Sequence, residues 1–98
     1  VTDRRRISSG GPWEAAAGYS RAIVVGDSCW VAGTTDVGPD GRSAHPGDIG
    51  AQARAVFEII ETALAEAGFA LEDVVRTRMF VTDMTRSAEV IAVHGDVF

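Results

Sequence analysis

Few residues of this chain are of a type that does chemistry, and most of them stand alone. Tyr19 is the single tyrosine, and it offers a hydroxyl and an aromatic wall directly after Gly18. Taken by itself it reads as a packing residue. Gly33 lets a ligand approach the backbone closely, and Thr34 and Thr35 follow it, each with a hydroxyl. Arg76 and Arg78 alternate along one run, so they project from one face where two guanidinium groups can meet an anion. Salt bridges across a subunit contact are the competing reading. Cys29, the only cysteine, has no partner for an intramolecular disulfide and reads as a small buried hydrophobe between Ser28 and Trp30. His45 stands in a loop beside Pro46 with no metal-ligand spacing around it, and reads as solvent-exposed. His94 falls on an apolar helical face and reads as packing. The residues therefore predict no metal site.

Composition excludes several classes of function. All nine basic residues are arginine, so chemistry through an enzyme lysine, including lysine-anchored pyridoxal phosphate, is ruled out for this stretch. The formal charge of −5 argues against a nucleic-acid partner, whose phosphates need clustered positive charge. The run Arg4-Arg5-Arg6 reads as a solvated strand edge rather than an RNA contact. With 98 residues, 46% hydrophobic and 23% charged, the chain is sized for one domain. No apolar run approaches the length of a membrane span and no signal-peptide core stands at the N-terminus, so the expectation is a cytoplasmic protein without a membrane partner.

The element that must position these residues is a hairpin between Gly18 and Thr35. Its arms are rich in β-branched and aromatic residues, and Gly26-Asp27 supplies the turn. Ser20, Ala22 and Val24 share one face; Arg21, Ile23 and Val25 share the other. Both faces are largely apolar, which predicts cover on both sides. Before the hairpin, a polar head and a short extended run reach to Ser9, and Gly10-Gly11-Pro12 ends any strand there. Trp13 reads as packing. Residues 36–48 carry glycines, prolines and the turn signal Pro39-Asp40-Gly41, and form a surface loop.

A helix follows, with Asp48 as N-cap and Gly68 just past its end. Ile49, Ala53, Val56, Phe57, Ile60 and Leu64 make its apolar stripe. Leu71 to Val74 reads as one helical turn, and Val75 to Thr82 alternates as a second strand. Strand, helix and strand make a crossover, so these two strands are predicted to be parallel. From Met84 a helix is predicted, capped by Asp83 or Thr85, with Ser87, Val90, Ile91, His94, Val97 and Phe98 on its apolar face. Its pattern still runs at Phe98, and the expectation is that these residues belong to a longer polypeptide.

Five stretches together resemble the reactive-intermediate deaminase (Rid, or YjgF) family. They are Gly18-Tyr19-Ser20-Arg21-Ala22, Val31-Ala32-Gly33-Thr34-Thr35, the long helix, Leu71-Glu72-Asp73-Val74-Val75, and Val81-Thr82-Asp83-Met84. Each is short; their order and spacing carry the resemblance, which runs nearly the whole length. It implies an α+β fold, a mixed β-sheet with two helices packed on one face, in the chorismate-mutase-like architecture. The chain would be a single Rid-like domain over residues 1–98 that lacks its C-terminal strands.

The resemblance further implies a homotrimer with ligand clefts between subunits and hydrolysis of enamine or imine intermediates, such as 2-aminoacrylate and 2-iminobutanoate, to 2-keto acids and ammonia without a cofactor. The substrate is a small carboxylate-bearing molecule, with Tyr19, Gly33 and Thr34 as the substrate-binding residues. The family's carboxylate-binding arginine and water-placing glutamate would lie beyond Phe98. Ala32 and Thr34 replace the family's serine and glutamine, Ile91 its asparagine and His94 its tyrosine, a pattern that resembles a divergent subgroup. A non-catalytic binding or regulatory trimer is the alternative, and an endoribonuclease, a label some relatives carry, the third reading.

Overall fold

Along the chain follow strand β1 (Arg4–Ile7), helix α1 (Pro12–Ala17), strands β2 (Ala22–Val25) and β3 (Ser28–Val31), and helices α2 (Ile49–Ala67) and α3 (Ser87–Val97). Single 3₁₀ turns stand at Leu71–Asp73 and Met84–Arg86. The computed structural model describes residues 3–98, so Val1 and Thr2, the start of the predicted polar head, lie outside the described residues.

The strands form an antiparallel sheet in the order β1-β2-β3. Its tight turn is the predicted one: Gly26 has φ 59, which a two-residue hairpin of the II′ kind requires at its first central position. Ile7 pairs with Ala22, and Val24 with Cys29, so these side chains share a face. On that face Ile7, Ala22 and Val24 pack with Ala63 and Ala67 of α2 into the core, and Cys29 and Phe69 lie against it. Small residues at the contact let helix and sheet approach closely. The opposite face, with Ile23 and Trp30, has no such cover, and Trp30 is 69% exposed. The predicted cover of both hairpin faces is thus met on one side only, because a single long helix packs on the sheet.

Helix α2 has the predicted punctuation. Asp48 Oδ1 accepts from the Ala51 N–H at 3.0 Å, and Gly68 takes the left-handed φ of 90 that ends the helix. Phe69 folds back, its N–H bonded to the Leu64 carbonyl at 2.8 Å. Arg5 crosses from β1 and donates to the carbonyls of Ala67 at 2.7 Å and Glu66 at 3.3 Å, which answers two acceptors the helix end leaves open. The predicted solvated edge is otherwise as read, with Arg4, Arg5 and Arg6 exposed.

Helix α3 packs beside α2. His94 sits between the rings of Phe57 and Phe98, at centroid distances of 5.8 and 4.7 Å, and its Nε2 meets the Thr77 hydroxyl at 2.9 Å. It is the packing residue its position suggested. The apolar face is shifted from the expected one: Val93 is buried and Ile91 is 61% exposed. A 3₁₀ turn winds more tightly than an α-helix, so the turn Met84–Arg86 changes the phase at which the helix begins. Asp83 does cap, but it caps this turn, accepting from the Thr85 N–H at 3.0 Å.

Two expectations are corrected. Gly11-Pro12 does more than end a strand: it opens helix α1, with Pro12 at the first helical position, where its missing N–H costs nothing. Residues 75–82 form no strand and pair with none among the described residues, so the sheet there is antiparallel and not mixed. Val75 and Phe80 are 97% and 87% exposed. A strand needs a bonded neighbour, and between this run and β3 lies a cavity of ≈ 1150 Å³. The fold is α+β, as expected.

Candidate functional site

Arg21 is the point at which the predicted binding residues meet. It stands just before β2 on the sheet face away from α2, yet it is only 6% exposed. A buried guanidinium must find acceptors for its donors. Its Nη1 donates to the Gly33 carbonyl at 2.7 Å and to Thr34 Oγ1 at 2.9 Å. Its Nη2 donates to the Tyr19 hydroxyl oxygen at 3.4 Å, and its carbon lies 5.4 Å from the centre of the Tyr19 ring. Tyr19, Gly33 and Thr34, separate in sequence, are therefore held by one cation.

The counter-charge is one residue removed. Arg21 Nε donates to Ser9 Oγ at 3.3 Å, and that hydroxyl donates to Glu14 Oε2 at 2.7 Å. Glu14, 6% exposed in α1, also accepts from the N–H groups of Ser9 at 3.2 Å, Gly11 at 2.9 Å and, through Oε1, Arg21 at 3.3 Å. Burial pushes its carboxyl up, but the Ser9 hydroxyl, the Gly11 N–H and the further donors outweigh this, and the carboxyl is held below its ordinary value of 4.5. Glu14 thus ties the start of α1 to the start of β2 and leaves little lone-pair capacity for other work.

Two hollows adjoin this knot. One, of ≈ 560 Å³, opens on the uncovered sheet face and is lined by Arg4, Arg6, Tyr19, Ile23 and Trp30. The other is the cavity beside β3, lined by Gly33, Thr34, Val56, Phe80 and Phe98. They share the wall Trp30, Val31 and Ala32. Val56 and Ile60 of the α2 stripe remain half-buried because they face this cavity. Arg76 and Arg78 lie along it, both exposed and with no ion pair among the described residues. Cys29 is half-buried against the core, and burial raises its thiol, which suits packing and not nucleophilic attack. Among the described residues, no group of three His, Cys, Asp or Glu is placed to hold a metal ion.

The comparisons with known proteins fit this arrangement. The family model described as Endoribonuclease L-PSP matches residues 11–98. The chain belongs to this family, also called Rid or YjgF. Uncharacterized protein SCO2049 of Streptomyces coelicolor is 36% identical over 94 residues, which are 96% of this chain and 69% of that protein. The crystal structure of Rv2704 from Mycobacterium tuberculosis, described as a member of the YjgF/YER057c/UK114 family, superposes with a TM-score of 0.84 at 46% identity. It covers 98% of this chain and 75% of its own. The structure of E. coli TdcF with bound serine is 25% identical with a TM-score of 0.72, over 94% of this chain and 67% of that one. The chain spans between 63% and 69% of the length of the first curated relatives it matches.

The sequence singles out Tyr19, Gly33 and Thr34 but not Arg21, which contacts all three, nor Glu14. A signal for each was present. Arg21 shares its strand face with Ile23 and Val25, where an arginine must either be exposed or find acceptors. Glu14 lies three residues after Gly11, the position from which a side chain reaches back to the first N–H of a helix.

Proposed function

We propose that this chain is part of a cofactor-independent enzyme that hydrolyses reactive enamine or imine acids, of the 2-aminoacrylate and 2-iminobutanoate kind, to 2-oxo acids and ammonia. The observation that carries the reading is the Arg21 knot, which holds Tyr19, Gly33 and Thr34 together in a Rid-family chain. An enamine first takes a proton at its terminal carbon to become the imine; water then adds to the C=N carbon, the nitrogen gains protons and departs as ammonia, and a C=O bond remains. The reaction needs a held carboxylate, a placed water and limited bulk solvent. Tyr19 supplies a hydroxyl and a wall, Gly33 close approach of backbone, and Thr34 a hydroxyl in place of the family's amide.

The remaining groups, an arginine for the carboxylate and a glutamate for the water, belong on this reading to chain beyond Phe98. Phe98 and Thr34 line the same cavity. The serine in TdcF is a small carboxylate-bearing molecule, as the proposed substrates are. The open face bearing Trp30 would be covered in a homotrimer, with the cleft between subunits. The protein would act in the cytoplasm, and no helix among the described residues is long and apolar enough to cross a membrane.

The test is release of 2-oxobutanoate and ammonia from enzymatically generated 2-iminobutanoate. Purified full-length protein at micromolar concentration accelerates it over buffer; no acceleration removes the reading. A non-catalytic binding trimer is favoured by one observation, that two buried carboxylates near the predicted binding residues are both engaged: Glu14 by four donors, and Asp36, which lines the same cavity as Gly33 and Thr34, by the Ser43 hydroxyl and the His45 N–H. Under that reading ligand binds with no turnover. The endoribonuclease reading draws on the family description alone. The charge of −5 opposes it, as does the enclosure of His94 between two rings.

A further inference from the structure

Of the three arginines of β1, only Arg5 is engaged. It stands on the α2 face and donates to the Glu66 and Ala67 carbonyls. Side chains alternate along a strand, so Arg4 and Arg6 stand together on the open face, about 7 Å apart along β1. Neither has an ion-pair partner among the described residues. The register fixes what lies beside them. Arg6 pairs with Ile23 and Ile23 with Trp30, so the three make one row across the sheet, with Arg6 and Trp30 roughly 10 Å apart. Arg4 and this row all line the ≈ 560 Å³ hollow, with Ile23 as an apolar floor between the guanidinium groups and the exposed indole. The one carboxylate among the lining residues is Glu14. Its oxygens are taken by Ser9, Gly11 and the Arg21 N–H, and the buried Arg21 guanidinium, linked to it through Ser9, offsets its charge. In a chain of net charge −5, this hollow therefore keeps two uncompensated positive charges at one side and an open aromatic face at the other.

We propose that the hollow binds a phosphate monoester carried on a flat aromatic ring, with Arg4 and Arg6 sharing the phosphate and Trp30 stacking on the ring. A guanidinium presents parallel donors that match phosphate oxygens. A phosphate monoester carries about −1.5 to −2 charges at neutral pH, which two arginines balance and a single carboxylate would not. The row from Arg6 to Trp30 gives room for a ring laid over Ile23 with its anion at the β1 side, and an offset stack on the indole holds that ring. Gly33 and Thr34 line the cavity beyond the shared wall of Trp30, Val31 and Ala32, so this is a second place and a second ligand class. In a homotrimer that covers the open face, the phosphate supplies the counter-charge that the lining residues do not. A neighbouring copy that met Arg4 and Arg6 with carboxylates of its own would leave no room for it, and the test separates the two.

Phenyl phosphate, inorganic phosphate and benzoate are the probes, titrated calorimetrically into full-length protein at low ionic strength. Phenyl phosphate is expected to bind about tenfold tighter than either, because inorganic phosphate lacks the ring and benzoate lacks the second charge. Arg4→Gln and Arg6→Gln each weaken phenyl phosphate about tenfold; both positions are exposed, so the fold is retained. Trp30→Leu keeps apolar bulk, weakens phenyl phosphate about tenfold and leaves inorganic phosphate unchanged. Excess 2-oxobutanoate leaves phenyl phosphate in place. Displacement by it would make the hollow part of the small-carboxylate site and overturn the proposal. So would equal affinity for phenyl phosphate and benzoate, or binding that survives both arginine substitutions. Arginine variants that change the mass by light scattering, in a protein that binds no phenyl phosphate, would assign the pair to a contact between copies and overturn it too. None of these results bears on imine hydrolysis, which is read from turnover alone.

Discussion

Removal of the Glu14 carboxylate should unfasten the site before it touches any ligand. Four donors converge on it: the Ser9 hydroxyl and the N–H groups of Ser9, Gly11 and Arg21. Of these, the Arg21 N–H is buried, and leaving it without an acceptor costs about 1–3 kcal/mol. Ser9 and Gly11 are partly open to water, so each lost bond there costs about 0.5–1.5 kcal/mol. With three such bonds to Ser9 and Gly11, Glu14→Ala should therefore destabilise by roughly 2.5–7.5 kcal/mol. Glu14→Gln keeps one acceptor oxygen but turns an NH₂ toward donors and gives up the charge, for a loss of about 2 kcal/mol. In a domain of this size that lowers the melting temperature by roughly 10 °C.

The pH dependence adds an independent check. The Glu14 carboxyl is held below its ordinary value of 4.5 in the folded protein. A lowered folded-state value stabilises fully above the unfolded value, and the contribution disappears as pH falls through the folded one. Wild type should therefore lose stability on acidification below pH 4.5, while Glu14→Gln lacks this component and the two melting curves converge toward acid. Circular dichroism melts of both proteins between neutral and acid pH decide it. A Glu14→Gln variant that melts with wild type at neutral pH, or a gap that widens toward acid, would refute the reasoning.

Three further outcomes are expected. Gly41 has φ +79, and a Cβ there would stand 3.1 Å from Trp13 Cζ2, so Gly41→Ala should cost about 1–2 kcal/mol in urea titrations; unchanged stability would contradict the close approach of the ring. Trp30→Glu places a charge on the open sheet face and should convert the proposed trimer to monomer by light scattering, whereas a trimer of unchanged mass removes this face from the subunit contact. If a further strand fills the cavity beside β3, hydrogen exchange of full-length protein should show protection at the amides of Cys29 and Val31, which point away from β2, and of residues 76–81, and a variant truncated after Phe98 should leave them fast. Equal exchange in the two would mean that nothing fills the cavity beside β3.

How much was legible in the sequence depends on how far each determinant reaches. The Gly26-Asp27 turn, the Asp48 cap and the Gly68 stop act within a few residues of themselves, and all three stand where the sequence puts them. Arg21 is different. Its acceptors are Ser9, twelve residues before it, and Gly33 and Thr34, twelve and thirteen after. No local pattern encodes that meeting; only the antiparallel pairing of β2 with β3 and the return of α1 bring the three together. Tyr19, Gly33 and Thr34 were visible as residue types, while the group that contacts all three was not.

The run at residues 75–82 makes the complementary point. Its alternation is intact in the sequence, yet no strand forms, because a strand is a property of a pair. An alternating pattern on a segment with Val75 and Phe80 almost wholly exposed is a local and global conflict of the kind folded sequences avoid. The conflict vanishes if an extended segment lies in the cavity between β3 and this run, pairing with both edges and covering the apolar side chains. The site residues then divide by what fixes them. Tyr19, Gly33 and Thr34 are held by Arg21 from within the described chain, whereas Arg76 and Arg78 border the open cavity and have no hydrogen-bonding or ion-pair partner for their side chains among the described residues.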